Sequence, residues 1–359
     1  MPTVTAALLG LEHPHSLAHL RTLQALPEVE RILLWDSNQA ALDAAVQAQG
    51  AKVEATYTNL DELLARTDLF FVIAAVRNDL GPEIFIRALE AGKHLMAEKP
   101  IGKTAADTAR VIAVAERVGR QLSVCYQNRT NPVIEQARNL VSQGIIGKLT
   151  AMEMRMFTTQ VQFRNPKHWL FQNDLAGGGI LSWLGCHFID LMRYITGDEI
   201  VSVMAETATL SGEEISVEDV ATLSMRFRSG AVGSLQAGYT LALSGGGYHN
   251  KSGYDNYVGI NGRTGRLFWT TVGSPTNLYA ESTIPAWSGA PQRTFDYTLA
   301  TSPAYGGVSG EQFLRQFILA AQGEGALITT GYDALQVARV VDAAYESSRT
   351  GRRIEIAAP

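Results

Sequence analysis

Residues 4–16 read VTAALLGLEHPHS, a mostly apolar run from Val4 to Leu9 that breaks at Gly10 and leads through a short polar segment into a helical pattern. Short apolar runs ended by glycine read as buried strands. The same pattern recurs at Ile32–Trp35, Leu69–Ala75, His94–Ala97 and Leu122–Val124, with helical stretches filling the gaps. Strands buried on both faces and separated by helices of about a dozen residues imply an α/β fold with a doubly wound parallel sheet. Its binding crevice lies at the carboxyl ends of the strands, so the first third of the chain reads as a nucleotide domain.

The loop expected to hold phosphates is Gly10-Leu11-Glu12-His13-Pro14-His15, which matches G-x-G-x-x-G only at its first glycine. Glu12 puts a side chain where backbone would approach a pyrophosphate, while His13, His15 and Ser16 can donate hydrogen bonds near the helix start. Asp36 ends the second strand, 26 residues after Gly10. There a carboxylate accepts the adenosine ribose hydroxyls and repels a 2′-phosphate, favouring NAD over NADP; the alternative is a helix cap, since Asn38 onward is helical. The histidines at 13, 15 and 19 invite a metal, but no cysteine or carboxylate set near them in sequence completes a site, and no metal is expected.

Glu98-Lys99-Pro100 directly follows the run His94–Ala97, which places a lysine at the same sheet edge. Desolvation and a neighbouring nicotinamide charge both lower a lysine pKa toward a value useful for taking a hydroxyl proton. The plainer reading is a solvated turn lysine, so position carries the argument. A third stretch, Gly177–Gly197, reads GGGILSWLGCHFIDLMRYITG, three glycines before a helix expected over 180–195. Trp183, His187, Asp190 and Tyr194 follow helical spacing along one stripe, and a carboxylate three residues on can orient the His187 imidazole for proton transfer. The competing reading of His187 is a satisfied core residue.

With 46% hydrophobic and 18% charged residues among 359, and a formal net charge of -5, the chain can bury a large core, and its length favours two domains. It lacks the basic surplus that attracts phosphate backbones or anionic membranes, so nucleic acid and membrane partners are not expected. No secretory signal leads the sequence, and two cysteines, Cys125 and Cys186, give no disulfide framework, which suits a reduced cytoplasm.

Several blocks together resemble the glucose-fructose oxidoreductase, inositol dehydrogenase and MocA family over essentially the whole chain. They are Leu89-Glu90-Ala91-Gly92-Lys93-His94, Glu98-Lys99-Pro100, Tyr126-Gln127-Asn128-Arg129 with Pro132, Gly144–Gly147, and the glycine triplet with His187 and Asp190. The resemblance implies an N-terminal Rossmann domain over 1–125. A C-terminal α+β domain over 126–359 follows, with a large, mostly antiparallel open sheet used for substrate and for homodimer or homotetramer contacts. It implies NAD, held by Gly10, Glu12, His13, His15, Asp36, Ala75, Asn78, Glu98, Lys99 and Asn128. Catalysis falls to Lys99 and His187. Asn128, Arg129, Arg164, His168 and Trp183 join them as substrate contacts, unless Arg129 pairs with structural carboxylates. The implied activity is oxidation or reduction of a secondary hydroxyl or ketone in a sugar, polyol or glycoside. A redox-assisted glycosidase or lyase and a non-catalytic sugar sensor are the alternatives. Three departures stand out: the glycines lost at Glu12 and His15, Gly81 in place of a histidine, and Trp183 in place of an aspartate.

In the second domain, a helix is expected over 132–142, and Ala221, Leu223, Met225 and Phe227 alternate with polar residues as a half-buried strand before a Ser229-Gly230 turn. Ser309 with Gln312, and Thr330 with Asp333, read as capping boxes of two final helices. The glycine-rich stretch 244–257 reads as a loop that contacts ligand or subunit.

Overall fold

The computed structural model describes residues 3–242, 253–271 and 274–357. They form two compact units, Met1–Thr130 with Ala300–Leu335, and Asn131–Leu299 with Gln336–Pro359. The division expected at 125/126 is therefore an interleaving: 126–130 and 300–335 both pack with the first unit.

In the first unit the chain runs β1 (Val4–Leu9), α1 (Ser16–Ala25), β2 (Val29–Trp35), α2 (Gln39–Gln49), β3 (Val53–Tyr57) and α3 (Leu60–Leu64). It continues through β4 (Leu69–Ala74), α4 (Gly81–Glu90), β5 (His94–Ala97), α5 (Ala105–Val118) and β6 (Leu122–Val124). The sheet is parallel with order β3-β2-β1-β4-β5-β6, the dinucleotide-binding order whose direction reverses beside β1. β3 had not been expected. Its sequence VEATY is half-buried at the sheet edge, so it carries no apolar run. Local chemistry sets the helix starts: Asn38 accepts from the amides of Ala40 and Ala41 to open α2, and Thr104 accepts from the Asp107 amide to open α5.

The second unit holds α6 (Pro132–Ser142), β7 (Leu149–Thr159), α7 (Asn173–Ala176), α8 (Cys186–Thr196), β8 (Ile200–Ala208), β9 (Val220–Phe227) and β10 (Val232–Leu241). Then come β11 (Tyr254–Gly262), β12 (Gly265–Thr271), β13 (Asn277–Ser282) and β14 (Gln292–Asp296). These strands and β15 (Ile354–Glu355) make a nine-stranded sheet of order β14-β13-β12-β11-β7-β10-β9-β8-β15, antiparallel except where β7 and β10 pair in parallel. One face is buried, as the alternation of β9 requires: Ala221, Leu223, Met225 and Phe227 point inward. Gly230, at φ +92°, makes the hairpin turn between β9 and β10. Residues 244–252 of the expected loop lie outside the described residues, and 254–257 begin β11.

The chain returns to the first unit in α9 (Gly307–Ala321), whose Phe313, Leu314, Phe317 and Ile318 complete a core with Leu8, Leu20, Leu34, Phe71 and Ile73. α9 starts at Gly307, not at a Ser309 cap: Gly306 and Gly307 both take positive φ, so the chain turns into the helix earlier, and the Ser309 hydroxyl donates to the Thr130 carbonyl (3.4 Å). The Thr330–Asp333 box does open α10 (Gly331–Thr350), with reciprocal bonds of 2.9 Å and 3.4 Å.

The helix expected over 180–195 is not uniform. Leu181–Gly185 form a π-helical turn before α8, so Trp183 sits in a wider turn than His187 and the strict α-helical stripe does not extend back to it. By length and composition Asn173–Thr196 is apolar enough to cross a bilayer, but 78% of its most apolar window is buried in the fold.

Candidate active site

Lys99 is fully buried (0% exposed) just beyond the carboxyl end of β5, and its peptide bond to Pro100 is cis. Glu98 beside it is also buried and is held from three sides. Its Oε1 accepts from His19 Nε2 (2.7 Å) and His15 Nδ1 (3.1 Å), and its Oε2 accepts from the Lys99 amide (3.0 Å). Burial pushes the Glu98 carboxyl up, but His15 and His19 outweigh it and hold the group well below the usual carboxylate range. Burial lowers the pKa of both His13 and His15, opposed in each by Glu98, so both rings are neutral near pH 7. The Tyr305 hydroxyl lies 2.9 Å from His15 Nδ1, which also meets Glu98, and 3.3 Å from Nε2, and the two rings lie 4.5 Å apart, centroid to centroid.

The neighbouring loop fits a dinucleotide. Gly10 has φ +90°, and a Cβ there would lie 2.4 Å from the Ala75 carbonyl oxygen, so only glycine allows this closeness between loop and β4. α1 begins with no side-chain cap on its first amides, which leaves a helix N-terminus suited to a pyrophosphate. Asp36 accepts from the Leu11 amide (2.7 Å) through Oδ2 and from the Asn38 amide (2.9 Å) through Oδ1. The cap of α2 is Asn38, so Asp36 is a braced carboxylate at the end of β2 with further lone pairs for ribose hydroxyls. Glu12 is exposed, and its charge acts on Arg77, which is paired with Asp79.

In the second unit the helix carrying His187 is anchored by a buried carboxylate. Glu218 accepts from the amides of Gly179 (2.8 Å) and Leu181 (2.9 Å) and from the Tyr345 hydroxyl (2.9 Å). Gly179 has to be glycine because a Cβ would lie 1.9 Å from the Glu218 carbonyl oxygen. His187 is half-buried and Asp190, one turn on, is buried.

The sequence pattern described as an oxidoreductase family with an NAD-binding Rossmann fold matches residues 6–126, and that described as the GFO/IDH/MocA C-terminal domain matches 134–268. The chain belongs to the GFO/IDH/MocA oxidoreductase family. It is similar to a 1,5-anhydro-D-fructose reductase of Ensifer adhaerens, 24% identical over 83% of each chain. A D-apiose dehydrogenase of Paraburkholderia graminis is 25% identical over 94% of this chain and 86% of its own. Among solved structures, an oxidoreductase domain protein from Kribbella flavida superposes with a TM-score of 0.87 at 26% identity, covering all of both chains.

For a GFO/IDH/MocA protein, some expected contacts are otherwise engaged. Arg129 is buried, paired with Asp333 (2.9 Å) and bonded to the Ile328 carbonyl (3.0 Å), so its guanidinium ties the turn after β6 to the start of α10. Glu98 bonds the histidines and its own loop. Trp183 is only 6% exposed and meets Trp169 edge to face (6.2 Å), which is core packing more than an open platform. Asn78 and Ala75 are buried at the end of β4, and Asn128 is exposed in the turn after β6. His168 caps the short 3-10 turn Trp169–Phe171, accepting from the Leu170 amide (3.3 Å).

Sequence spacing offers no carboxylate or cysteine to complete the histidine set, but the fold brings Glu98 within 4.8 Å of His13 and His15, and Glu98 and Cys125 within 4.8 Å of His19. Within these groups His15 and His19 are hydrogen-bonded to Glu98. His13 Nδ1 accepts from the His15 amide (3.1 Å), and burial pushes the Cys125 thiol up.

The neutral histidines set a pH dependence. His13, His15 and His94, the last lowered to about 4 by burial and Arg120, all have folded pKa values below 6.5, so the unfolded chain binds protons first. Their contribution is fully present above 6.5 and is lost as pH falls, by up to about 1.4 kcal/mol per unit for each histidine. Thermal unfolding is expected to occur at clearly lower temperature at about pH 5.5 than at about pH 7.5; an unchanged midpoint would show that these rings are not held neutral.

Proposed function

We propose that this chain oxidises a secondary hydroxyl of a carbohydrate or polyol, or reduces the matching ketone, with NAD. The observation that carries the reading is the complete burial of Lys99 at the carboxyl edge of a dinucleotide-binding sheet, beside a carboxylate already satisfied by two histidines. A desolvated lysine there is placed to exchange a proton with a substrate hydroxyl. NAD, when bound, supplies the hydride acceptor. Gly10, the open start of α1, Asp36 and the end of β4 at Ala75 and Asn78 would hold it. His187 is assigned the second proton-handling role, on a helix fixed by Glu218. The sugars named for the reductase and dehydrogenase relatives support a carbohydrate substrate. The exposed sheet face, where Phe268 stacks on Tyr279 at 5.1 Å, is the surface we assign to homodimer or homotetramer contacts.

The test is a panel of sugars, polyols and glycosides with the purified protein, in which ketone and reduced cofactor are expected in equal amounts; a panel without turnover, under conditions where NAD binds, would contradict the reading. For the cofactor, NAD is expected to raise the unfolding temperature more than NADP at matched concentration, because Asp36 accepts ribose hydroxyls and opposes an added phosphate. An equal or larger shift with NADP would refute that assignment.

A further inference from the structure

Arg164 differs from most of the half-buried arginines of this protein in what it meets; Arg339, on α10, is the other one without a carboxylate partner among the described residues. Arg66, Arg77, Arg129 and Arg193 each meet a carboxylate within 2.9 Å. Arg164 is half-buried, yet among the described residues it pairs with no carboxylate, and the residues outside that description include neither Asp nor Glu. Its partners are neutral. Nε donates to the Thr159 carbonyl (3.2 Å), Nη2 donates to Thr158 Oγ1 (2.9 Å), and the Tyr239 ring lies 5.0 Å from the guanidinium carbon. Thr158 is itself fixed, because its hydroxyl donates to the Gly253 carbonyl (2.7 Å).

A guanidinium has five N–H donors. With one on Nε and one on Nη2 spent, both hydrogens of Nη1 and the outer hydrogen of Nη2 remain, and these form the end-on edge that matches two oxygens of an oxyanion. Withdrawing a cation from water without a counterion is unfavourable, and an anionic ligand removes that penalty. The surroundings suit a sugar. Tyr239 packs against Phe171 (5.6 Å), and the same short turn carries Trp169 with His168 against it (5.5 Å). His168 is held in place by its Nδ1, which accepts from the Leu170 amide (3.3 Å). One guanidinium matches a single negative charge better than a phosphate monoester of about two.

We infer that the substrate is an acidic carbohydrate, a uronic or aldonic acid or a glycoside of one, whose carboxylate docks on the end-on edge of Arg164. The inference rests on the dehydrogenase reading above and names its substrate class. The test uses the NAD-loaded protein with matched pairs of methyl glycosides and methyl glycosiduronates in the gluco, galacto and manno series, together with the corresponding 6-phosphates. In the wild type the acid of at least one pair is expected to be favoured about tenfold or more in kcat/KM. Arg164→Gln should collapse that ratio toward one, mainly through KM, and Arg164→Lys, which keeps charge without the fork, should fall between. Binding of the same pairs, read by tryptophan fluorescence, separates the two claims. Arg164-dependent binding of uronates without any cofactor reduction would sink the dehydrogenase reading and keep this one. Turnover that favours the neutral members, a loss in Arg164→Gln equal for both members, or a preference for the phosphates would overturn it.

Discussion

Lys99→Met is expected to lower turnover at least about a hundredfold while the protein folds and still binds NAD. Methionine replaces the lysine stem with a chain of similar length and no charge, so it leaves little cavity at a fully buried position. What disappears is the amine to which we assign exchange of the hydroxyl proton, and positioned acid–base groups contribute about a hundredfold or more. Removing the buried amine also changes the surroundings of Glu98 and its histidines. The unfolding temperature and the NAD-induced shift are therefore measured alongside rate. A variant that is folded, binds NAD and keeps near-normal turnover would take Lys99 out of the mechanism.

The largest stability effect is expected at Gly179. In Gly179→Ala the new Cβ would fall 1.9 Å from the Glu218 carbonyl oxygen and 2.9 Å from its carbon, both backbone atoms that cannot rotate aside. Relief requires the helix start to move away from Glu218, which disturbs the bonds from Gly179, Ile180 and Leu181 that fix it. A loss of about 3 kcal/mol or more follows, at the upper end of overpacking effects and equivalent to roughly 6–12 °C in unfolding temperature. Gly289→Ala is the control. Nothing lies within 4 Å of a Cβ there and its φ is not in the left-handed region, so a change within about 0.5 kcal/mol is expected. Equal behaviour of the two variants would mean that the contact at Glu218 does not constrain the helix.

How legible each part was depended on how local its physics is. The parallel strands β1, β4 and β5 are buried on both faces and so appear as apolar runs, whereas β3 is half-buried and its VEATY carries no such run. Lys99 could be placed from sequence because the strand before it ends one residue earlier than Glu98. The partners that organise its surroundings could not. His15 meets Tyr305 across 290 residues, and Glu218 reaches Gly179 across 39, with no periodicity to announce either contact. Arg129 was readable as a substrate contact or a structural ion pair, and only the fold, which brings Asp333 to it, favours the pair. The π-helical turn before α8 also left no mark in an apolar pattern that suits either helix.

The most direct test follows hydrogen from substrate to cofactor. The acidic and neutral glycosides, deuterated at their ring carbons, are incubated with NAD and the protein, and the reduced cofactor is weighed by mass spectrometry. The account predicts that one deuterium per ketone formed appears in the cofactor, and that Lys99→Met suppresses this transfer with NAD still bound. Consumption of a glycoside with no net reduced cofactor, or saturable sugar binding with no transfer at all, would contradict it.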